Sequence, residues 1–323
     1  MTIFPFMAPK KLWRVVRRSF SDFIDNDVLK LSASLAFSTI FSLPGLLIII
    51  IWFTNVFYGR EIVEGTIYKQ VEGLVGTNAA ESVQGAMRAS TQSNSGQLAT
   101  IIGFVALIFG ATAVFGEIQS SINIIWKLKA KPKKGRGWLH LIINRLLSFS
   151  VIVSFGFILL VSLIINGALD LLVNHLMQRF PDLTVVIVYI INLLLSFLII
   201  SFIFGIIFKV LPDAKIEWRH VRVGAFTTAF LFMGGKFLIS YYLSHSTMTT
   251  TYGTAGSIIL ILLWVYYSAM ILYFGASFTR EYAIEMGSNI YPNKYAVWVE
   301  QKEIPSNKPL TNTPDGIKAK EED

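Results

Sequence analysis

The chain has no cysteine among its 323 residues, which removes disulfides, thiolate metal ligands and cysteine nucleophiles together. Charge is also scarce, at 15% of residues against about 25% in an ordinary globular chain. Acids are outnumbered by Lys and Arg, 20 to 28, leaving a formal net charge of +8. The histidines are His140, His175, His220 and His245, with no His-x-x-x-His spacing and no clustered carboxylates. A metal site is therefore not expected. A Gly-x-Ser-x-Gly elbow and a phosphate loop are absent too, so the expectation is a protein that is not an enzyme and takes no cofactor.

What fills the chain instead is apolar: 54% of it is strongly hydrophobic. A bilayer core about 30 Å thick is crossed by roughly 20 apolar residues. Four uncharged windows, 31–59, 89–116 (apolar from about Leu98), 146–169 and 183–208, give four spans. The stretch from Val223 to Arg280 is broken by the polar residues Ser244 to Thr251 and gives two more. The fold expected is an all-α membrane protein with six transmembrane helices at about 34–57, 98–126, 141–169, 183–209, 222–243 and 255–280. They form one domain, 31–280, with an external loop over 58–97. The N-terminus has no small-residue cleavage site, so span one is expected to stay in the mature chain.

Orientation follows from Lys and Arg in the connections. Sixteen fall before span one and in the 2–3 and 4–5 loops, and four (Arg60, Lys69, Arg88 and Arg179) fall in the others. Both termini are thus placed in the cytoplasm. Within segment 1–30, Leu12, Val16, Phe20 and Phe23 recur every three or four residues while Arg14, Arg17 and Arg18 point elsewhere. That suits an amphipathic helix in the interface, with an unstructured basic patch as the alternative. The tail 281–323, with Pro305, Pro314 and few apolar residues beyond Val299, is expected to be largely disordered. Topology accounts for the basic clusters, including Lys127 to Arg136, so nucleic acid is not an expected partner.

Polar residues inside the spans are the candidates for function. Ser34, Ser38 and Ser42 share one helical face, and Pro44-Gly45 follows. Proline removes a backbone donor, so the first helix is expected to kink at Pro44. Two readings stand: hydroxyl glue between packed helices, or a broken helix lining a substrate cavity. Glu117 lies about two turns inside Trp126, which marks the interface, with Gln119, Ser120 and Asn123 nearby. Lys236 sits mid-way along span five. An ion pair between Glu117 and Lys236 competes with a transport role for each. Span six opens at Tyr252-Gly253 and carries Tyr267 too deep for an interfacial belt.

Three strings carry a family resemblance: Phe109-Gly-Ala-Thr-Ala-Val-Phe-Gly-Glu-Ile-Gln-Ser-Ser-Ile-Asn-Ile-Ile-Trp126, Val210-Leu-Pro-Asp-Ala-Lys-Ile-Glu-Trp218, and Tyr252-Gly-Thr-Ala-Gly-Ser257 continuing to Phe274-Gly-Ala276. Over roughly residues 10–285 the chain resembles the YihY/BrkB inner-membrane proteins, long labelled "ribonuclease BN". The resemblance implies a bacterial inner-membrane protein linked to envelope integrity and to transport of a lipid or solute. Where the family commonly has an acid in span six this chain has Ser277, and where it often has Gln it has Met270. A proton carrier, if one is needed, then falls to Glu281 or Glu117. The functions weighed are a transporter or flippase of an amphipathic envelope substrate and, as the alternative, a non-transporting scaffold. Nothing in the chain resembles a nuclease site. The partners in view are membrane lipids, envelope proteins and a second copy of the chain.

Overall fold

Proline at the first helical position starts α1, where its missing N–H costs no hydrogen bond. In the computed structural model, which describes residues 8–40, 42, 97–131, 181–244, 254–288, 290–293 and 295–300, six helices occur among the described residues. They are α1 (Pro9–Asp25), α2 (Val28–Ile40), α3 (Gln97–Ile125), α4 (Pro181–Val210), α5 (Trp218–Ser244) and α6 (Thr254–Glu285). Asp27, at φ 51°, turns the chain between α1 and α2.

Three helices hold stretches long and apolar enough to cross a bilayer: Ile190–Val210, Trp218–Ile239 and Ile259–Glu285. They coincide with the expected spans four, five and six. The shorter α2 begins the expected span one, and α3 covers the expected span two. Expected span three, Pro44 and most of loop 58–97 lie outside the described residues, as do Tyr252 and Gly253.

The helices converge on a core at one end of the bundle. Ile118, Ile122 and Ile125 of α3 meet Phe204, Ile207 and Phe208 of α4, Val221, Ala225 and Ala229 of α5, and Leu272, Tyr273 and Ala276 of α6. Each set recurs every three or four residues, so each helix turns one face inward. On α4 the opposite face is bare among the described residues: Ile190, Leu194, Leu198 and Phe202 are exposed. An apolar exterior on a long helix is what a lipid-facing surface requires.

The seam between α5 and α6 runs antiparallel and is built on reciprocal small residues. Gly224 abuts Thr279 and Gly275 abuts Thr228, so a Cβ on either glycine would collide with the facing threonine. Both threonine hydroxyls donate back to their own helices, Thr228 to Gly224 O and Thr279 to Gly275 O, each at 2.7 Å. Further along, Gly235 abuts the Tyr267 hydroxyl. Glycine permits the close backbone approach that association between membrane helices relies on.

Past Arg280 the chain does not become a disordered tail at once. α6 continues to Glu285 and ends at Gly287, whose φ of 71° suits glycine, with Ser288 N bonded to Ala283 O at 3.0 Å. Strands β3 (Tyr291–Pro292) and β4 (Ala296–Trp298) then return to the bundle. There β4 pairs antiparallel with β1 (Leu128–Ala130) after α3, and β3 with β2 (Ala214–Lys215) before α5. The reason is local: Tyr282, Ala283, Ile290 and Ala296 are buried, enough apolar surface to hold the segment before the polar residues beyond 300 begin.

Candidate functional site

The C-terminal strands wall a cavity of about 870 Å3 at this end of the bundle. Gln119, Ser120 and Asn123 of α3 line one side, and Asp25 and Asn26 at the end of α1 line another. Lys127 and Lys129, Asp213, Arg280, and Trp298 at the end of β4 with Val299 and Glu300 after it complete it. Cations, carboxylates and amides thus share one cavity beside an otherwise apolar bundle.

Asp213 organises the site. It is 3% exposed and lies in the turn between α4 and β2. Gln119 Nε2 donates to its Oδ1 at 3.0 Å and Asn123 Nδ2 to its Oδ2 at 2.8 Å. Asn123 Oδ1 accepts from the Asp213 backbone N–H at 2.9 Å, and the Asp213 carbonyl accepts from Asn293 N at 2.9 Å. One acid therefore fastens α3, the α4–α5 connection and the C-terminal segment together. Among the described residues no Lys or Arg forms an ion pair with it. Its charge is held by amide donors and by Tyr295. Burial pushes the Tyr295 hydroxyl above its ordinary titration range, and the neighbouring Asp213 charge pushes it further in the same direction.

A second polar cluster closes the rim. Arg280 Nη1 donates to Asp22 Oδ2 and to Glu281 Oε1, each at 2.8 Å, with all three side chains at most 14% exposed. Arg14 Nη1 reaches Glu285 Oε1 at 2.7 Å, and Arg18 lies 3.4 Å from Oε2. These pairs fasten α1 to the last turns of α6. Removing one member would leave an uncompensated charge in a largely dry place.

Of the residues named in the sequence, the structure brings Gln119, Ser120, Asn123 and Lys127 into this site and Glu281 into the cluster at its rim. Trp126, read as an interfacial marker, is fully buried, and its Nε1 donates to Ala276 O at 3.0 Å. Glu117 and Lys236 are both half-buried but form no ion pair with each other. At 1.5 Å per residue, Glu117 is about 12 Å from the end of α3 and Lys236 about 27 Å from the start of α5, so they lie at different depths. The Tyr273 hydroxyl lies next to Ser121. Both hydroxyls are buried and neither completes a hydrogen bond among the described residues. Ser34 is exposed, whereas Ser38 and Ser42 are half-buried. Ser42 donates to Thr39 O of its own segment at 2.9 Å and packs against Gly110 of α3. Tyr267 fills the space left by Gly235.

Sequence reasoning missed Asp213 and Arg280 as site residues. Asp213 stood inside the Leu-Pro-Asp string that carried the resemblance but was not singled out, because an acid in a short connection gives no sign of burial. Arg280 reads, in sequence, only as the end of span six.

A comparison with family models matches residues 19–295 to the family described as Virulence factor BrkB. The chain belongs to the BrkB family. Among curated proteins it is similar to the UPF0761 membrane protein of Stenotrophomonas maltophilia (strain K279a), 25% identical over 264 residues, covering 81% of this chain and 59% of the relative. A second, from Pseudoalteromonas atlantica, is 25% identical over 288 residues, 85% of this chain and 91% of that protein. A third, from Yersinia pestis (strain Pestoides F), is 25% identical over 193 residues, 58% of this chain and 60% of that one. The chain thus spans under two thirds of the length of the Stenotrophomonas relative. No solved structure matches it. Membership in the BrkB family, relatives named as membrane proteins and three apolar helices make this a membrane protein.

Proposed function

We propose that this BrkB-family protein moves a lipid or other amphipathic envelope substrate across the bacterial inner membrane. In this reading the chain has six spans with both termini in the cytoplasm. The cavity around Asp213 is then the cytoplasmic vestibule for the polar part of the substrate. Catalysis plays no part, because translocation needs no covalent step.

The observation that most supports the reading is that polar cavity. It holds three cations, three carboxylates and several amides, an assortment suited to a zwitterionic or phosphate-bearing head group. Exposed apolar side chains along α4 and α5 leave room for acyl chains outside the bundle. Glu117 and Lys236, half-buried at different depths, supply polar stations beyond the vestibule.

The test is head-group translocation of fluorescent phospholipids in proteoliposomes, read by dithionite quenching. Wild-type protein should give faster loss of inner-leaflet fluorescence than protein-free liposomes, and Glu117→Gln and Lys236→Met should remove the difference while remaining folded. Wild-type rates equal to those of empty liposomes, with and without a proton gradient, would overturn the proposal. Weight would then move to a non-transporting scaffold, which co-purification of envelope partners would examine.

A further inference from the structure

We propose that α1 is a binding site for anionic lipid head groups, formed by a stripe in which cations alternate with apolar residues along its outer face. Three faces of α1 can be told apart. The first is committed to α6: Val15 packs with Phe278 and Tyr282, Ser19 is buried, Asp22 holds Arg280, and Phe23 meets Phe274 with ring centroids 6.2 Å apart. With Arg14 against Glu285 and Phe23 against Phe274, α1 runs antiparallel beside the end of α6. Its N-terminus thus lies farthest from the bundle's middle and Ile24 lies deeper.

The second face is apolar yet largely uncovered among the described residues, Phe20 meeting only the edge of the core through its stacking on Phe23. Leu12, Trp13, Phe20 and Ile24 are 45%, 69%, 58% and 61% exposed. In a soluble protein such a surface would be a liability, and beside a membrane-spanning helix its natural cover is hydrocarbon. The third face carries the charge. Arg14 and Arg18 are engaged by Glu285, but Lys10, Lys11 and Arg17 are exposed and pair with no acid among the described residues.

Lys10, Trp13, Arg17, Phe20 and Ile24 follow one another at steps of three and four, so they form a single stripe at the border of the apolar and basic faces. Cations at the outer end and large apolar groups at the inner end match an anionic lipid, whose phosphate sits above its acyl chains. Lys and Arg near such a surface are each worth roughly 1 kcal/mol, or about a fivefold change in affinity per cation. Because Asp22 on the same helix holds Arg280 at the cavity rim, lipid bound here steadies a residue of the cavity without entering it. This inference stands whether or not the protein transports anything.

The experiment uses the full chain in nanodiscs of phosphatidylcholine with and without phosphatidylglycerol. The absence of cysteine lets Phe20→Cys, Ser21→Cys and Ile24→Cys each carry one nitroxide label. Labels at 20 and 24 should collide with oxygen and be shielded from an aqueous nickel reagent, and the label at 21 should show the reverse. Shielding of 20 and 24 from both reagents would mean that protein covers the stripe, and free access of nickel would mean water does; either overturns the proposal. Lys10→Gln with Arg17→Gln should weaken phosphatidylglycerol binding about 25-fold by native mass spectrometry, with phosphatidylcholine binding unchanged. An unchanged affinity, or an equal loss in the Lys215→Gln, Arg222→Gln control, would overturn it as well.

Discussion

Truncating Asp213 to alanine tests whether one carboxylate holds the cavity together. It accepts side-chain bonds from Gln119 and Asn123 at 3.0 and 2.8 Å. Hydrogen bonds to a charged group contribute about 1.5–3 kcal/mol each. Gln119 is only half-buried and faces the cavity, so water replaces much of what it loses. Asn123, 8% exposed, is left with a buried amide that has lost its acceptor. The low end of the range therefore applies, and Asp213→Ala should cost about 3 kcal/mol. Asn123→Ala should cost about as much, since it removes both the donor to the carboxylate and the acceptor for Asp213 N–H. Because the two losses share the bond from Asn123 Nδ2 to the Asp213 carboxylate, the double variant should lose about 4 kcal/mol, a coupling of about 2 kcal/mol. Reversible unfolding of the micelle-bound protein by SDS, followed by circular dichroism, measures all three. Losses that add to within about 0.5 kcal/mol would refute the idea that Asp213 acts through Asn123.

Two further outcomes are expected. Gly234 and Gly235 are neighbours on α5, but a Cβ at 234 meets nothing within 4 Å while one at 235 collides with Tyr267. Gly234→Ala should be neutral or stabilising by up to about 1 kcal/mol, and Gly235→Ala should be destabilising by about 1–3 kcal/mol. Tyr267→Phe should restore much of the loss at 235, and equal effects at 234 and 235 in the same unfolding assay would count against the seam as described. Tyr295 ionises above its ordinary value of 10.0 in the folded chain. The unfolded state therefore releases this proton first, so its contribution to stability is fully present below about pH 10 and is lost as pH rises through the folded value. Tyr295→Phe should flatten the alkaline fall in melting temperature, and an unchanged alkaline limb would refute the assignment.

Spans four, five and six were legible because the bilayer imposes a length and a polarity that composition alone reveals. Expected spans four, five and six coincide with α4, α5 and α6 for that reason. The amphipathic character of α1 was legible too, from the spacing of Leu12, Val16, Phe20 and Phe23, although its lengthwise packing on α6 was not. That packing depends on ion pairs between residues far apart in the chain, Arg14 with Glu285 and Asp22 with Arg280, which no local periodicity encodes. The site was the least legible part. Asp213, Asn123 and Asn293 belong to three separate segments, and a carboxylate bound by amides looks, in one dimension, like any polar residue in a turn. Glu117 and Lys236 drew attention as charges within apolar runs, but sequence gives no relative depth for two helices.

The pairing of β4 with β1 and of β3 with β2 joins the end of the chain to segments made much earlier. Synthesis proceeds from the N-terminus, so α3 and α4 are complete while the strands that will wall the cavity are still unmade. Trp298 and Val299 reach their places only after the last span has been inserted. Closure of the cavity thus requires α1, α3, the α4–β2 turn and α6 to be in place. A chain ending before residue 291 would lack Trp298, Val299 and Glu300 and so leave the polar lining open on that side.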